Sequence, residues 1–420
     1  MISMLYSLGL QGYRRLIQVA GLFNTKAKLL YAGERKSQRE LATKIDPKER
    51  YIWFHAASLG EFEQGRPLME YLKRHHPEYK LLLTFFSPSG YEVCKDYKGA
   101  DVVCYLPFDT PKRVAHFLDT VHPVMALFIK YEFWRNYLKA LHQRAIPTYS
   151  VSAIFRPEQA FFKWYGAPYR ALLKYFNQIF VQDEASRALL TSMGVTAVTL
   201  TGDTRFDRVL AIAHEAKPIS VFEGYLKAAR KAGERILVAG SSWPQDERFL
   251  LPYLNERIAL RAIIAPHEIH EAHLQAIEKG LQRPSIRLSK ATPDTIASYP
   301  YVIIDCFGLL STLYRYADVA YVGGGFGVSI HNTVEAAVYG VPVLFGPVHD
   351  KFREAKELLA SGGGIGLTVE ADFAPTMDRL LANETERKQR GEAAKAYVTQ
   401  QAGATRKILS ALALDSFKGM

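Results

Sequence analysis

Glu61 stands where a carboxylate could do acid–base chemistry. Tyr51–His55 is a candidate buried strand and Ala56–Gly60 is a small-residue turn, so Glu61 falls in the first turn of the helix that follows. The positive end of the helix dipole favours an ionised carboxylate there. At the carboxyl end of a parallel strand, such a group could act as a general base. The alternative is that Glu61 only favours the start of the helix.

A glycine-rich run, Ala317–Asp350, has the pattern strand, glycine turn, helix, strand. Val319–Val322 is predicted as the first strand and Asn332–Tyr339 as the helix. A turn of this kind is expected to direct unpaired backbone N–H groups at an anionic ligand. The turn contains three consecutive glycines: Gly323, Gly324 and Gly325.

Asn332 and Glu335 are three residues apart and share one face of that predicted helix. A carboxylate repels a lone phosphate, but it can accept hydrogen bonds from the ribose of a nucleotide. The pattern therefore favours a nucleotide, and the alternative is an ordinary tight turn with a solvated Glu335. Neither G-x-G-x-x-G nor G-x-x-x-x-G-K-[ST] fits the run, which disfavours a dinucleotide site or a P-loop.

The composition is that of a globular protein of two or three domains. The 420 residues are 48% hydrophobic and 23% charged, which excludes disorder, and the net charge of +11 favours anionic partners. The positive charge is dispersed and no nucleic-acid-binding module occurs, so no nucleic acid is expected as a partner. The three cysteines form no C-x-x-C, which indicates a reducing compartment and disfavours a zinc site.

The first 36 residues are both basic and apolar. This composition suits a helix lying in a membrane interface, and the alternative is a terminal helix packed on its own domain. No apolar stretch reaches 18 residues, so no conventional transmembrane helix is expected. The basic residues are Arg14, Arg15, Lys26, Lys28, Arg35 and Lys36.

Strand patterns alternate with helical patterns over most of the chain, which predicts an α/β fold built from parallel sheets. The alternation is interrupted at Asp207–Gly233, a polar helical stretch that contains Pro218, and it restarts at Arg235. We therefore predict two doubly wound halves joined by a bridge, with the ligand site in the cleft between them. An aromatic-rich stretch, 155–176, is predicted as a helix pair that packs in a core or grips a lipid.

Further candidate residues follow strands of the second half. Ser241 and Ser242 lie in a predicted turn and could meet a phosphate. His267, just past a strand end, could face the cleft. His267, His270 and His273 invite a metal hypothesis, but His267 and His273 lie about 120° apart on a helix and no H-E-x-x-H occurs. We expect no metal site and no cofactor.

With these pieces located, the chain resembles the 3-deoxy-D-manno-octulosonic acid (Kdo) transferases of lipopolysaccharide assembly. The segments that carry the resemblance are His55–Glu61, Tyr105–Asp109, Lys130–Asn136, Gly202–Asp207, His331–Glu335 and Pro342–Pro347. The resemblance implies a GT-B glycosyltransferase fold and inverting transfer of Kdo from CMP-Kdo to a lipid A precursor. It also implies a location on the cytoplasmic face of the inner membrane.

The resemblance also implies a role for individual residues. Glu61 falls on the catalytic base, and Ser58, Gly60 and Glu132 fall at acceptor-binding positions. The expected donor-binding residues are Ser241, Ser242, His267, Gly308, Gly323, Gly324, Gly325, Asn332 and Glu335. Where the family often has Pro-Arg-His, this chain has Pro266-His267-Glu268.

The domain plan that follows has five parts. Residues 1–36 form a membrane-surface segment, 37–212 an acceptor domain, 213–233 a bridge and 234–400 a CMP-sugar domain, and 401–420 form a helix that packs back on the first domain. Two alternatives stay open. One is a GT-B enzyme that uses a UDP-sugar, either a glycosyltransferase or a UDP-N-acetylglucosamine epimerase. The other is a non-catalytic module that binds nucleotides or membrane surfaces.

Overall fold

The computed structural model describes residues 2–412 and 414, with the side chains of residues 2–5 left out. The described chain forms two compact units. Val209–Ala402 is the second unit, and the chain up to Arg208 and from Gly403 onward forms the first. None of the described helices has the length and apolar character needed to cross a membrane.

The first unit is built on a seven-stranded parallel sheet with the strand order β3-β2-β1-β4-β5-β6-β7. This doubly wound order reverses its direction between β1 and β4, which pair directly with His55 opposite Phe128. All described residues of β1 and β4 are buried, as expected for strands covered on both faces. The strands are β1 (Tyr51–Ala56), β2 (Lys80–Phe85), β3 (Val102–Tyr105), β4 (Met125–Ile129), β5 (Thr148–Ala153), β6 (Gln178–Val181) and β7 (Val198–Leu200).

Helices cover both faces of this sheet. Trp53 and Phe128 contribute to the core on one face, and Ile52 and Phe54 contribute to the core on the other. The helices are α1 (Ile2–Ala20), α2 (Thr25–Lys44), α3 (Leu59–His75), α4 (Pro88–Cys94), α5 (Pro111–Val121), α6 (Arg135–Gln143), α7 (Ala167–Leu173), α8 (Glu184–Ser192) and α9 (Thr204–Glu215).

The second unit has its own seven-stranded parallel sheet, with the order β10-β11-β9-β8-β12-β13-β14. Its direction reverses between β8 and β12, which pair with Val322 opposite Gly240. The prediction of an α/β fold with two doubly wound units is confirmed. The strands are β8 (Arg235–Ser242), β9 (Leu260–Pro266), β10 (Ser285–Arg287), β11 (Tyr301–Ile303), β12 (Val319–Val322), β13 (Val343–Phe345) and β14 (Gly364–Gly366).

The helices of the second unit include the stretch assigned to the bridge. Pro218 separates α9 from α10, and α10 packs within the second unit, where the hydroxyl of Tyr225 donates to the carbonyl of Pro300 at 2.7 Å. The helices are α10 (Ser220–Ala232), α11 (Pro244–Glu256), α12 (Glu271–Gly280), α13 (Leu310–Leu313), α14 (Val334–Ala337), α15 (Arg353–Ala360), α16 (Phe373–Ala382) and α17 (Glu384–Gln401).

The last described helix, α18 (Ala404–Ala411), belongs to the first unit. Ile408 and Leu409 join the core beside Ile52 and Phe54. The carboxylate of Asp207 accepts the N–H groups of Gly403 and Thr405, at 2.5 and 2.6 Å, at the start of α18. The described part of the predicted helix 401–420 thus packs in the first unit, and residues 413 and 415–420 lie outside the described residues.

Two local predictions differ from the structure. The aromatic stretch 155–176 contains one short helix, α7, after a 3₁₀ turn at Ala160–Phe162. The helix expected over Asn332–Tyr339 is only α14.

The basic amino-terminal segment forms α1 and the start of α2. Ile17 and Leu30 are buried against Tyr105 and Phe108 of the first unit, so the segment packs on its own domain. Other large apolar side chains of the same segment remain exposed, namely Leu8, Tyr13, Leu16, Val19, Leu22 and Phe23.

Candidate functional site

In the first unit, the loops after β1 and β4 leave adjacent strands at the point where the strand order reverses. Ligands of doubly wound sheets bind at such switch points, outside the carboxyl ends of the strands. The loop after β1 leads to Glu61, and the loop after β4 carries Glu132. The fold therefore brings these two predicted acids to one edge of one sheet.

Glu61 is the third residue of α3 and is held by the backbone of the preceding turn. One of its carboxylate oxygens accepts the N–H of Ala57 at 2.6 Å and the N–H of Ser58 at 3.2 Å. These are orphan donors at a helix start, and their bonds fix the carboxylate in place. Gly60 is exposed in the same turn and has open space where a Cβ would stand.

The ionisation of Glu61 differs from the expectation based on the helix dipole. Burial raises the pKa of Glu61, and the nearby charge of Glu132 raises it further. The N–H of Ala57, His55 and Lys130 lower that pKa and do not offset the two larger effects. The expectation of a favoured ionised form is therefore wrong in sign, because desolvation outweighs the dipole. A raised pKa suits a carboxyl group that must take up a proton.

Glu132 lies in a hydrogen-bonded cluster with an aromatic wall. Its side chain is 10% exposed, and one oxygen lies 2.9 Å from Nε2 of His55 and accepts the indole N–H of Trp134. On the other side of the ring, Nδ1 of His55 lies 2.9 Å from the hydroxyl of Thr84. The fully buried His55 thus connects Thr84 of β2 to Glu132 and holds the carboxylate of Glu132 in position.

The sequence analysis did not assign a role to His55 or Trp134. Both lie in segments that carried the resemblance, but their contact depends on the pairing of β1 with β4. Lys130, the first residue after β4, has a positive φ of 66°, so the chain turns sharply as it leaves that strand.

In the second unit, the predicted donor residues also gather at a switch point. Ser241 and Ser242 end β8, and Gly323, Gly324 and Gly325 follow β12, its neighbour in the sheet. Ser241 is half-buried with a positive φ of 52°. Ser242 is buried, and its hydroxyl donates to Glu247 at 2.8 Å.

The three consecutive glycines allow neighbouring backbone segments to approach so closely that a side chain would not fit between them. A Cβ on Gly323 would lie 2.3 Å from the carbonyl oxygen of Ser241, and a Cβ on Gly325 would lie 2.6 Å from Cα of Gly346. Gly324 has a φ of +91°, a conformation that side chains rarely adopt.

The backbone N–H groups of the first two glycines are paired within the protein. The N–H of Gly323 donates to the carbonyl of Gly240, and the N–H of Gly324 donates to the carboxylate of Asp246 at 2.9 Å. Asp246 is fully buried and also accepts the hydroxyl of Tyr321 at 2.6 Å. The structure thus places a buried carboxylate where the sequence pattern indicated an anion site.

Asn332 and Glu335 are brought together as predicted from their spacing. The amide of Asn332 donates to Glu335 at 2.9 Å, while its oxygen accepts the N–H of Val334 at 3.1 Å. Both side chains are half-buried at the start of α14. Gly308, in the exposed loop after β11, has a φ of +88°.

His267 forms part of an aromatic stack near the glycine run. Its ring stacks on Trp243 at 4.6 Å and on His331 at 4.3 Å between centroids, and the indole N–H of Trp243 donates to Nε2 of His331 at 3.1 Å. Burial and the neighbouring His267 lower the pKa of His331 to about 4. At neutral pH His331 is therefore uncharged and acts as an acceptor towards Trp243.

The other two histidines of the metal hypothesis have separate partners. His270 caps α12, and His273 is buried with its Nε2 2.9 Å from Glu247. Within residues 2–412 and 414, no group of three His, Cys, Asp or Glu side chains could hold a metal ion.

Comparison with known proteins links this architecture to sugar transfer. Residues 31–208 match the family model described as 3-deoxy-D-manno-octulosonic-acid transferase (kdotransferase). A 3-deoxy-D-manno-octulosonic acid transferase of Bordetella pertussis is 27% identical over 383 residues, which cover 86% of each chain. A transferase of the same name from Aquifex aeolicus is 26% identical, over 83% of this chain and 93% of the relative.

Solved structures show the same fold at low sequence identity. UDP-GlcNAc 2-epimerase from Neisseria meningitidis, bound to UDP-GlcNAc, has a TM-score of 0.59 and 16% identity, over 86% of this chain and 99% of that one. A putative UDP-N-acetylglucosamine 2-epimerase from Listeria monocytogenes has a TM-score of 0.59 and 14% identity, over 87% and 96%. Identities this low establish the architecture alone.

The fold and the sequence relatives together define the class of this protein. It is an enzyme of the glycosyltransferase class with two doubly wound units. Within that class the chain is a relative of the Kdo transferases, and the resemblance noted in its motifs is confirmed.

Proposed function

We propose that the enzyme transfers Kdo from CMP-Kdo to a lipid A precursor by an inverting displacement. The observation that carries the proposal is the carboxylate of Glu61, fixed by two backbone N–H groups beside Glu132 at the switch point of the first unit. The names of the matched relatives support Kdo as the transferred sugar. Glu61 is the catalytic base of the proposal.

In the proposed step, Glu61 takes the proton of an acceptor hydroxyl as that oxygen attacks the anomeric carbon of Kdo. The new glycosidic C–O bond forms while the bond from the anomeric carbon to the CMP phosphate oxygen breaks. The electron pair of the broken bond leaves on CMP. A single displacement of this kind inverts the configuration at the anomeric carbon.

Glu132, Ser58 and Gly60 are proposed to contact the acceptor near this base. The donor is proposed to bind the second unit at its switch point, along Ser241, Ser242, Gly308 and the glycine run, with His267 beside it. Asn332 and Glu335 form a hydrogen-bonded pair of an amide and a carboxylate, groups of the kind that bind ribose hydroxyls.

We further propose that the enzyme works on the cytoplasmic face of the inner membrane. The exposed apolar side chains of the amino-terminal segment, such as Leu16, Leu22 and Phe23, support contact with a bilayer surface. The exposed Arg15 in the same helix suits anionic headgroups.

Incubation of the protein with CMP-Kdo and a lipid A precursor, followed by product mass, tests donor, acceptor and number of sugars together. Glu61→Gln should lower kcat by about 10²–10⁴-fold, because the base is lost, and should leave CMP binding intact. Glu63→Gln, two residues further along α3, is the matched control and should keep full activity. Unchanged transfer by Glu61→Gln would remove Glu61 as the base.

The nucleotide is tested by the melting temperature. A ligand that binds only the folded state raises the melting temperature. CMP is therefore expected to raise it more than UDP does at equal concentration. A larger shift with UDP would favour a UDP-sugar enzyme instead.

A further inference from the structure

A cavity of about 590 Å³ lies in the first unit beside the segment that carries Glu132. This volume is within the range of roughly 300–1,000 Å³ found for ligand pockets. Aromatic and aliphatic side chains make up most of its wall, including Phe133, Phe161 and Leu172. The donor and acceptor sites proposed above do not use this cavity.

The cavity is linked to the candidate acceptor site by the loop that follows β4. Tyr131 and Phe133, which both line the cavity, are the chain neighbours of Glu132. The same short segment therefore contributes to the acidic cluster and to the cavity wall.

Exposed apolar side chains flank the cavity on two elements. Trp164, which is 92% exposed, and the exposed Tyr165 follow the lining residues Ala160 and Phe161 in the chain. Tyr6 of α1 also lines the cavity, and α1 carries the exposed apolar side chains described above. Aromatic side chains of this kind are enriched where protein meets the headgroup region of a bilayer.

Arg135 is a charged side chain in the wall of this largely apolar cavity. A terminal nitrogen of its guanidinium donates to the carbonyl of Pro168, another lining residue, at 3.3 Å. A guanidinium has five N–H donors and no acceptor. The ester or amide carbonyl at the head of an acyl chain would provide a further acceptor for it.

We propose that this cavity holds an acyl chain of the lipid acceptor, with the carbonyl of the chain accepting from Arg135. The proposal rests on the proposed function, because it assumes a lipid acceptor held at Glu132. It adds that the enzyme recognises the hydrocarbon part of that acceptor within its first unit and selects acylated over deacylated substrates.

The test compares an acylated lipid A precursor with the same phosphorylated disaccharide after deacylation, both with CMP-Kdo. Ala160→Phe places a ring in the cavity and is expected to lower the ratio of kcat/KM for acylated over deacylated acceptor at least tenfold. Ala167→Phe, an exposed alanine seven residues further on, is the matched control and should leave the ratio unchanged. Leu172→Phe is a second filling variant if Ala160→Phe lowers the melting temperature strongly.

A binding measurement separates the failure of this inference from that of the proposed function. A fluorescent N-dodecanoyl glucosamine phosphate should bind the wild type and lose at least tenfold affinity with Ala160→Phe. Probe binding of this pattern without any Kdo transfer would support the cavity and reject the proposed function. Kdo transfer with an unchanged acceptor ratio and unchanged probe affinity in both filling variants would overturn the cavity proposal.

Discussion

At the scale of single residues, Glu61 illustrates how a local rule is overridden by packing. Its position at the start of α3 was predictable from Tyr51–His55 and the small residues that follow. The direction of its pKa was not, because burial and Glu132 raise the pKa of Glu61 more than the N–H of Ala57 lowers it. Glu132 is 71 positions away in the chain, and only the pairing of β1 with β4 brings it near.

Glu132→Gln should shift the acidic limb of the kcat/KM profile to lower pH. The negative charge of Glu132 raises the pKa of Glu61, so its removal lets Glu61 stay ionised in more acidic solution. The pH dependence of kcat/KM measures the shift, together with a lower rate if Glu132 also binds the acceptor. Glu184→Gln, an exposed glutamate on α8, should leave the profile in place, and a profile that moves to higher pH with Glu132→Gln would contradict the argument.

Gly324→Ala should destabilise the second unit by about 1–3 kcal/mol, because Gly324 has a φ of +91° and an added Cβ would lie 2.3 Å from the carbonyl oxygen of Ser329. Thermal and urea unfolding measure the loss. Gly327→Ala is the matched control, since a Cβ there meets nothing closer than 3.6 Å. Equal melting temperatures for the two variants would show that the strain is absent.

At the scale of elements, the central strands of the sheets could be predicted from the sequence, but the edge strands β10 and β14 could not. Val319–Val322 and the central part of β2, Leu81–Leu83, are continuous apolar runs, which is the pattern of a strand buried on both faces. β10 (Ser285–Arg287) and β14 (Gly364–Gly366) have no such pattern, because edge strands need neither full burial nor apolar residues.

In the candidate site, contacts between residues close in the sequence could be predicted, and contacts between residues far apart in the sequence could not. Asn332 and Glu335 are in contact, as their spacing predicted, but Asn332 precedes α14 and does not share a helix face with Glu335. The partner of Gly324 was not predictable, because Asp246 lies on another helix, 78 positions away.

The start of α18 depends on one side chain of α9. Asp207→Ala should lower the stability of the first unit by about 0.5–2 kcal/mol, because the N–H groups of Gly403 and Thr405 lose their acceptor. Faster proteolysis within residues 403–412 and a lower melting temperature are the expected readouts. Asp119→Ala, at an exposed position on α5, should change neither, and an unaltered digestion pattern in Asp207→Ala would argue against the capping role.

At the scale of the whole molecule, exposed apolar side chains on the basic amino-terminal segment support the proposed contact with a membrane. Leu16 and Leu22 are 68% and 76% exposed, and transfer of each into a bilayer interface is favourable by about 1.5–3 kcal/mol at full burial. Exposed side chains of this kind on a basic segment are typical of contact with an anionic membrane surface.

The double variant Leu16→Glu, Leu22→Glu should lower binding to phosphatidylglycerol vesicles about tenfold or more, because it removes apolar contact and adds like charge. Vesicle flotation at two salt concentrations measures the bound fraction. Val93→Glu, at a 67%-exposed apolar position on α4, is the control and should bind as the wild type does. Undiminished binding of the double variant would place membrane contact elsewhere or reject it.

The course of the chain through its two units bears on how the protein is made. The first unit begins the chain but takes Ile408 and Leu409 into its core after the whole of Val209–Ala402 has intervened. On the ribosome, where amino-terminal segments fold first, Ile52 and Phe54 must wait for a helix translated about 350 codons later. The nascent chain therefore exposes the apolar surface that α18 later covers during most of its synthesis. A chaperone would be expected to bind at that surface.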